Sequence, residues 1–253
     1  MMNSHGRDQR FFSANASIKM LVVAGMWASL ACSGPVSARE WLGLTGLESG
    51  SRHDTYAFVG AVAPLAPDAT LGKGWVQRYW LDWLEYRFDS NSEEVRARAP
   101  GASAMLGYQA SDPLGFVAAY AGLGYRNTKL KPDQPDAETR GGQTALQLLG
   151  EIDHRITSAC RLTGAVQLAL GPDSYWTRIK FLNKPSTVAF WHGVEVVFQG
   201  DPDYRTFKAG FVLDEWGVGR GLAANFKLGA SRTKGLKTGA YAGIELVGSF
   251  GAQ

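Results

Sequence analysis

From Arg39 onward the chain alternates apolar and polar residues with a period of two, over stretches of about ten to sixteen residues. That period belongs to strands with one greasy face and one polar face. The clearest stretch runs from Gly141 to His154. Gln143, Gln147, Glu151 and Asp153 fall on one parity, and Leu146, Leu148 and Ile152 on the other. Ser158–Leu170 repeats the pattern, with Leu162, Val166, Leu168 and Leu170 opposed to Arg161, Thr163 and Gln167. The two predict a hairpin turning between His154 and Ser158. Leu222 to Ser231 and Ala240 to Phe250 alternate in the same way. Further strands are predicted at Trp41–Glu48, Thr55–Leu65, Trp75–Phe88, Ala102–Gln109, Phe116–Thr128, Tyr175–Leu182, Val188–Gln199 and Tyr204–Leu213, about twelve in all. Val95–Gly101 reads as a strand interrupted at Pro100. Turn chemistry falls between them, at Asp89–Glu94, Lys131–Asp136 and Gly200–Asp203.

The length of these strands decides between architectures. Strands of soluble proteins average about 5–6 residues, whereas a tilted strand crossing an outer membrane needs about 9–11. The expected fold is therefore all-β: a single antiparallel up-and-down transmembrane-type barrel of about twelve strands, residues 39–253. In such a cylinder the apolar parity meets lipid, the polar parity lines the lumen, and no backbone edge is left unpaired. The rival architecture is a soluble periplasmic barrel or sandwich. Trp41, Tyr56, Trp75, Tyr108, Tyr175, Trp191, Trp216 and Phe250 stand near strand ends, as interfacial girdle aromatics would. Phe250 also closes the last alternating strand, close to the C-terminus.

The first 38 residues follow a different logic. A polar stretch carrying Arg7, Arg10 and Lys19 precedes the apolar run Met20–Ala31, which ends in Ser33-Gly-Pro-Val-Ser-Ala38. These are the three regions of a secretory signal peptide, with cleavage expected after Ala38. The alternatives are a buried N-terminal helix and a lipoprotein acylated at Cys32. Leu30 stands one place too close to that cysteine for the usual lipobox.

Composition agrees with a folded barrel. The 253 residues are 45% hydrophobic, 19% charged and 11% aromatic, with 31 glycines and no Gly-X-Y period. The 26 basic and 23 acidic residues fall to 23 and 22 once the signal peptide's three basic and one acidic residue are removed. That balance excludes a nucleic-acid binder relying on charge. Cys160 is then the lone cysteine, expected to be buried or lipid-facing.

Catalytic constellations are sparse. His53, His154 and His192 lack metal-ligand spacing, so neither a metal nor a cofactor is expected. Gly217–Gly221 resembles a phosphate loop only in glycine content. Ser186 and His192 are the one pair that a lipid-deacylating barrel enzyme would use. The charged residues of the polar parity carry more weight. Glu151, Asp153, Arg161, Arg178, Lys180, Glu195 and Lys227 are predicted to face the lumen, either as a plug of paired charges or as a saccharide-contacting lining. Arg78, Trp80 and Trp83 are candidates for stacking on sugar rings, or simply girdle residues.

Several motifs occur in one order along the mature chain: Tyr56–Leu65, Gly74–Trp80, Tyr86-Arg-Phe88, Leu106-Gly-Tyr-Gln109, Ala119–Gly124, Tyr175–Arg178, Gly193-Val-Glu195 and Tyr204–Gly210. In order and spacing they resemble the cellulose biosynthesis protein BcsS family, over about residues 42–250. The resemblance implies a secreted outer-membrane barrel associated with bacterial cellulose synthesis. It carries no catalytic residues to transfer. The expected function is thus a non-catalytic accessory of cellulose (exopolysaccharide) biosynthesis or secretion in the outer membrane of a Gram-negative cell. Its expected partners are outer-membrane lipid and the cellulose chain or components of the cellulose-synthase secretion system, with no nucleic acid. The rivals are a lipid-modifying barrel enzyme and a soluble periplasmic binding module.

Overall fold

A computed structural model describes residues 40–66, 69–90 and 93–251. The expected signal peptide, its cleavage site and Cys32 lie outside the described residues. Twelve strands follow one another: β1 (Trp41–Gly50), β2 (Thr55–Pro64), β3 (Gly74–Ser90), β4 (Glu93–Asp112), β5 (Gly115–Lys131), β6 (Gly141–Arg155), β7 (Cys160–Leu170), β8 (Ser174–Asn183), β9 (Trp191–Gly200), β10 (Arg205–Gly219), β11 (Leu222–Thr233) and β12 (Gly239–Phe250). Each pairs antiparallel with its sequence neighbours, and β1 closes on β12 with Trp41 opposite Phe250. The closed cylinder leaves no sheet edge, which is the condition for a sheet to sit in hydrocarbon.

The turns are built by the side chains that the sequence supplies. Asp112 Oδ1 accepts the backbone N–H groups of Leu114 and Gly115, both at 2.8 Å, and so folds the β4–β5 hairpin. Asp201 Oδ1 does the same for Asp203 and Tyr204, at 2.9 and 2.8 Å, between β9 and β10. In β10 the register shifts between Leu213 and Trp216, where Glu215 takes a left-handed φ of 59°. This bulge re-aims Glu215 toward β7.

Several predicted boundaries change: β9 begins at Trp191 and not Val188, and β10 runs past Leu213 to Gly219. Strand β4 runs through Pro100 instead of breaking there. Pairing with β5 lapses at Ala99 and Pro100, which has no N–H to donate, and resumes in the same register at Gly101. The β3–β4–β5 wall is also taller than its neighbours. Beyond Glu85, β3 pairs only with β4, and Lys129 and Lys131 of β5 pair only with β4.

The exterior is apolar. Phe211, Leu228 and Leu123 are 74%, 61% and 62% exposed. Leu146, Leu148, Val166, Leu168 and Phe181 lie open on the same side. A soluble protein does not leave such a belt in water; acyl chains solvate it instead. The aromatics Trp75 and Tyr108 meet edge to face at 5.5 Å near one rim, beside a Trp41–Phe250 stack at 4.6 Å. Trp83, eight residues further along β3, marks the opposite rim. That is roughly 27 Å along the strand and about 20 Å along the barrel axis after a tilt of ~40°, somewhat less than the ~25 Å of an outer-membrane apolar band.

Parity also corrects the girdle. Tyr56 and Trp191 point inward: the Tyr56 hydroxyl accepts a 3.1 Å hydrogen bond from Trp80 Nε1, and Trp191 is buried beside Leu182 and Val212. Their strands carry apolar residues on both faces at those points, so alternation alone could not assign them.

Candidate functional site: the barrel lumen

The interior of the cylinder is where polar chemistry collects. Contacts between strands that are not neighbours must cross it, and they identify the inward parity directly. Lys180 of β8 donates to both carboxylate oxygens of Asp214 of β10, at 2.7 and 3.1 Å. Arg178 of β8 reaches Glu245 of β12 at 3.0 Å. Lys208 of β10 pairs with Glu48 of β1. Lys227 of β11 bridges Glu48 at 2.7 Å and Glu245 at 3.0 Å. The Tyr241 hydroxyl of β12 donates to Glu195 of β9 at 3.0 Å. Four cations, Arg178, Lys180, Lys208 and Lys227, thus pair with three carboxylates, Glu48, Asp214 and Glu245, inside the wall formed by β8 to β12 and β1, while Glu195 beside them is held by Tyr241. Compensation of this kind is what buried charge requires. Lys180 and Glu195 are only 6% and 1% exposed.

A second group lies nearer the rim that holds the termini. Arg161 donates through Nε to Asp153 at 2.6 Å and through Nη1 to Glu215 at 2.5 Å, and its guanidinium sits 5.5 Å from the Trp191 ring. A third occupies β2, β3 and β5. Arg126 donates to Asp82 at 2.6 Å, while Arg78 stacks over Trp80 at 4.1 Å. Phe58 stacks on the same Trp80 ring at 4.5 Å. Glycines make room for these rings: a Cβ on Gly46 would collide with Phe58, and one on Gly60 with Trp80.

The lumen-facing candidates are therefore placed as follows. Arg178, Lys180, Glu195 and Lys227 come together in the cross-lumen network, with Asp153 and Arg161 in the second group. Glu151 shares the inward parity of β6 with Asp153 and the core residue Leu149. Sequence reasoning did not single out Glu48, Lys208, Asp214 or Glu245 as partners. Glu245 already stood on the polar parity of its strand, but the pairing depends on barrel closure. Of the sugar-stacking candidates, Arg78 and Trp80 face inward while Trp83 faces outward and is 39% exposed, because an odd spacing separates it from the other two. Ser186 lies exposed in the segment between β8 and β9. His192 shares the outward parity of Val194 and Phe198 and meets the Phe190 ring at 6.4 Å. Among the described residues no group of three or more His, Cys, Asp or Glu is arranged to hold a metal ion.

Both ends of the lumen carry apolar or aromatic packing. Near the termini, Val62, Val76, Met105, Ala118, Tyr120 and Leu149 form an inward cluster. At the other end the tall wall leans onto the β9–β10 loop. Tyr86 and Tyr204 pack with ring centroids 4.4 Å apart, beside Phe88, Val95 and Leu130. Thr139 of the β5–β6 loop donates its hydroxyl to Asp203 at 2.8 Å. Burial pushes the Asp201 carboxyl in the β9–β10 loop up to about 6, offset only in part by the N–H groups of Asp203 and Tyr204. Between the two ends, the inward side chains of Ser103, Gln143, Gln147, Thr163, Gln167 and Trp176 are only half-buried. They line the opposite wall with uncharged polar groups, among which Glu151 and the Arg161–Asp153 and Arg126–Asp82 pairs also face inward.

Comparison with known proteins places this geometry. A family model described as cellulose biosynthesis protein BcsS matches residues 45–250. No curated protein matches the chain. Among solved structures, the translocator domain of the autotransporter NalP from Neisseria meningitidis is similar at a TM-score of 0.51 and 11% identity, over 95% of this chain and 97% of that one. The KdgM porin aligns at a TM-score of 0.43 and 8% identity, over 83% and 99%. The CymD monoaromatic hydrocarbon channel aligns at 0.42 and 7%, over 86% and 90%. The likeness to the translocator concerns the fold alone.

Proposed function

The chain belongs to the cellulose biosynthesis protein BcsS family, and from that membership we propose that it is a non-catalytic outer-membrane accessory of cellulose biosynthesis or secretion, not the export conduit. The observation that carries this reading is the set of ion pairs spanning the lumen, from Lys180–Asp214 to Arg178–Glu245. A glucan chain threading the barrel would have to displace buried, compensated charges, each of which costs several kcal/mol to leave unpaired. The packing of Tyr86 on Tyr204 across one mouth opposes passage further.

What the lumen offers a neutral polysaccharide is its other wall. Gln147 and Gln167 lie side by side, with Gln167 Nε2 3.4 Å from Gln147 Oε1, and Gln167 is in register with Trp176. Amides exchange hydrogen bonds with hydroxyl groups, and an indole face packs on the C–H face of a pyranose. A short glucan segment entering from a rim would meet these groups beside Arg178, which lies 5.3 Å from the Trp176 ring and is paired with Glu245.

Deletion of the gene followed by weighing of secreted cellulose tests the pathway. The expected result is a loss that the wild-type gene restores. Planar-bilayer recording tests the accessory role, with little or no conductance expected from the purified barrel. Unchanged cellulose would remove the pathway assignment, and porin-sized conductance would turn the accessory into a conduit.

A further inference from the structure

The outward face of the tall β3–β4–β5 wall changes character one position beyond the aromatic rim. Up to Trp83 on β3, Pro100 on β4 and Tyr125 on β5 it belongs to the apolar belt, with Asn127 following Tyr125 on the outward parity of β5. The next positions in register are Glu85, Arg98 and Lys129, abreast on three neighbouring strands. After them come Arg87, Arg96 and Lys131, again abreast. Two consecutive rows therefore hold five cations and one carboxylate. Asp89 and Glu94 stand in the row beyond.

Like charges placed directly across strands are destabilising, and here three cations share one row. Protein carboxylates answer only part of this charge. Glu85 is buried beneath Arg96, which donates through Nε at 2.8 Å, and lies 3.6 Å from Arg98. Glu94 pairs with Arg87. Lys129 and Lys131 are exposed and make no ion pair among the described residues. The rest of the chain is nearly charge-balanced, so a local surplus at this height is a specific feature of these strands.

We propose that this face is a binding site for the phosphate groups of an anionic glycolipid in the surrounding leaflet. The acyl chains of that lipid lie against Leu81, Leu123 and Trp83, and its phosphates are held by Arg98, Lys129, Arg96 and Lys131. The height fits, because the cations begin where the aromatic rim ends, at headgroup level. The chemistry fits, because guanidinium groups bind phosphate oxygens in bidentate fashion and lysines add point charge. The site also orients the barrel: the rim opposite the termini lies in the leaflet that carries the phosphorylated glycolipid.

The test uses the full-length barrel purified in a zwitterionic detergent. It is titrated with diphosphoryl lipid A or with the same lipid stripped of phosphate, and bound lipid is counted by native mass spectrometry. The double variant Lys129→Gln/Lys131→Gln leaves the Glu85 pairs intact. Its affinity for diphosphoryl lipid A should fall roughly 30-fold, about five-fold for each cation removed. Lys129→Arg/Lys131→Arg should bind as the wild type does. Lys234→Gln/Lys237→Gln, removing exposed lysines between β11 and β12, should change nothing. Equal binding by the glutamine variant, or equal binding of the phosphate-free lipid, would overturn the proposal. So would displacement of the lipid by millimolar inorganic phosphate, which would make the site one for free phosphate. A heat-modifiable gel band confirms that each variant is folded. The readout is independent of cellulose yield, so this site and the proposed function fail or stand separately.

Discussion

Replacing Lys180 with methionine asks whether the lumen is dry. The Nζ of Lys180 lies 2.7 Å from Asp214 Oδ2, and both side chains are nearly inaccessible. At that separation the attraction is roughly 6 kcal/mol for an effective dielectric of ~20, and roughly 1.5 kcal/mol in bulk water. In a water-filled channel, solvent would replace the lost amine and Lys180→Met would cost at most about 1 kcal/mol. In the packed interior described above, the stranded Asp214 carboxylate makes the change cost about 3–5 kcal/mol. Asp214→Leu alone should cost as much. The double variant, which leaves no orphan charge, should return to within about 1 kcal/mol of wild type or exceed it. Urea titration of the barrel in detergent micelles, followed by tryptophan fluorescence and by gel mobility, measures all three. Single variants as stable as wild type would refute the dry lumen, and with it the structural basis for denying the barrel a transport role.

Other outcomes follow from the same structure. Phe211→Arg places a charge in the apolar belt and should cost about 2–4 kcal/mol of folding free energy in lipid vesicles if that face meets acyl chains; a neutral result would contradict the assignment. Gly60→Ala drives a Cβ into the Trp80 ring and should cost about 1–3 kcal/mol while shifting tryptophan emission. An unchanged spectrum and midpoint would show that the ring yields. Asp201 rises from its ordinary 3.8 to about 6 on folding, so the folded protein holds this proton more tightly than the unfolded chain does. Its stabilisation is complete below the unfolded value and is lost as pH rises through about 6, by up to roughly 3 kcal/mol. Melting of wild type should therefore weaken between pH 4 and 7 more than that of Asp201→Asn, and parallel curves would refute the cause.

Much of the fold can be read from the chain because strand parity is a local property. Gly141–Arg155 shows it best: Gln143, Gln147, Glu151 and Asp153 turn inward, Leu146, Leu148 and Ile152 turn outward, and Leu149 joins the inward parity as a core residue. The twelve-strand count follows from the same rule applied along the chain. Where both faces of a strand are apolar the rule has nothing to read, and there Tyr56 and Trp191 read as rim residues although they pack inside. Pro100 misled for another reason. Its missing N–H interrupts one ladder for two residues, but the ladder to β3 holds the strand straight. The partners of the lumen charges are the least legible part. Lys208 and Glu48 are 160 residues apart, and nothing near either one announces the other. Their meeting is decided by strand number and stagger, which only the closed cylinder fixes.

The seam between first and last strands has a consequence for biogenesis. Because Trp41 is matched to Phe250, the ring can shut only when the final residues have been delivered, so every shorter translation product carries two sticky margins. An intermediate with fewer strands keeps unpaired backbone at both margins. A clipped C-terminus should therefore remove the protein from the cell altogether instead of yielding a smaller ring, since β1 would keep β2 on one side and have no mate on the other.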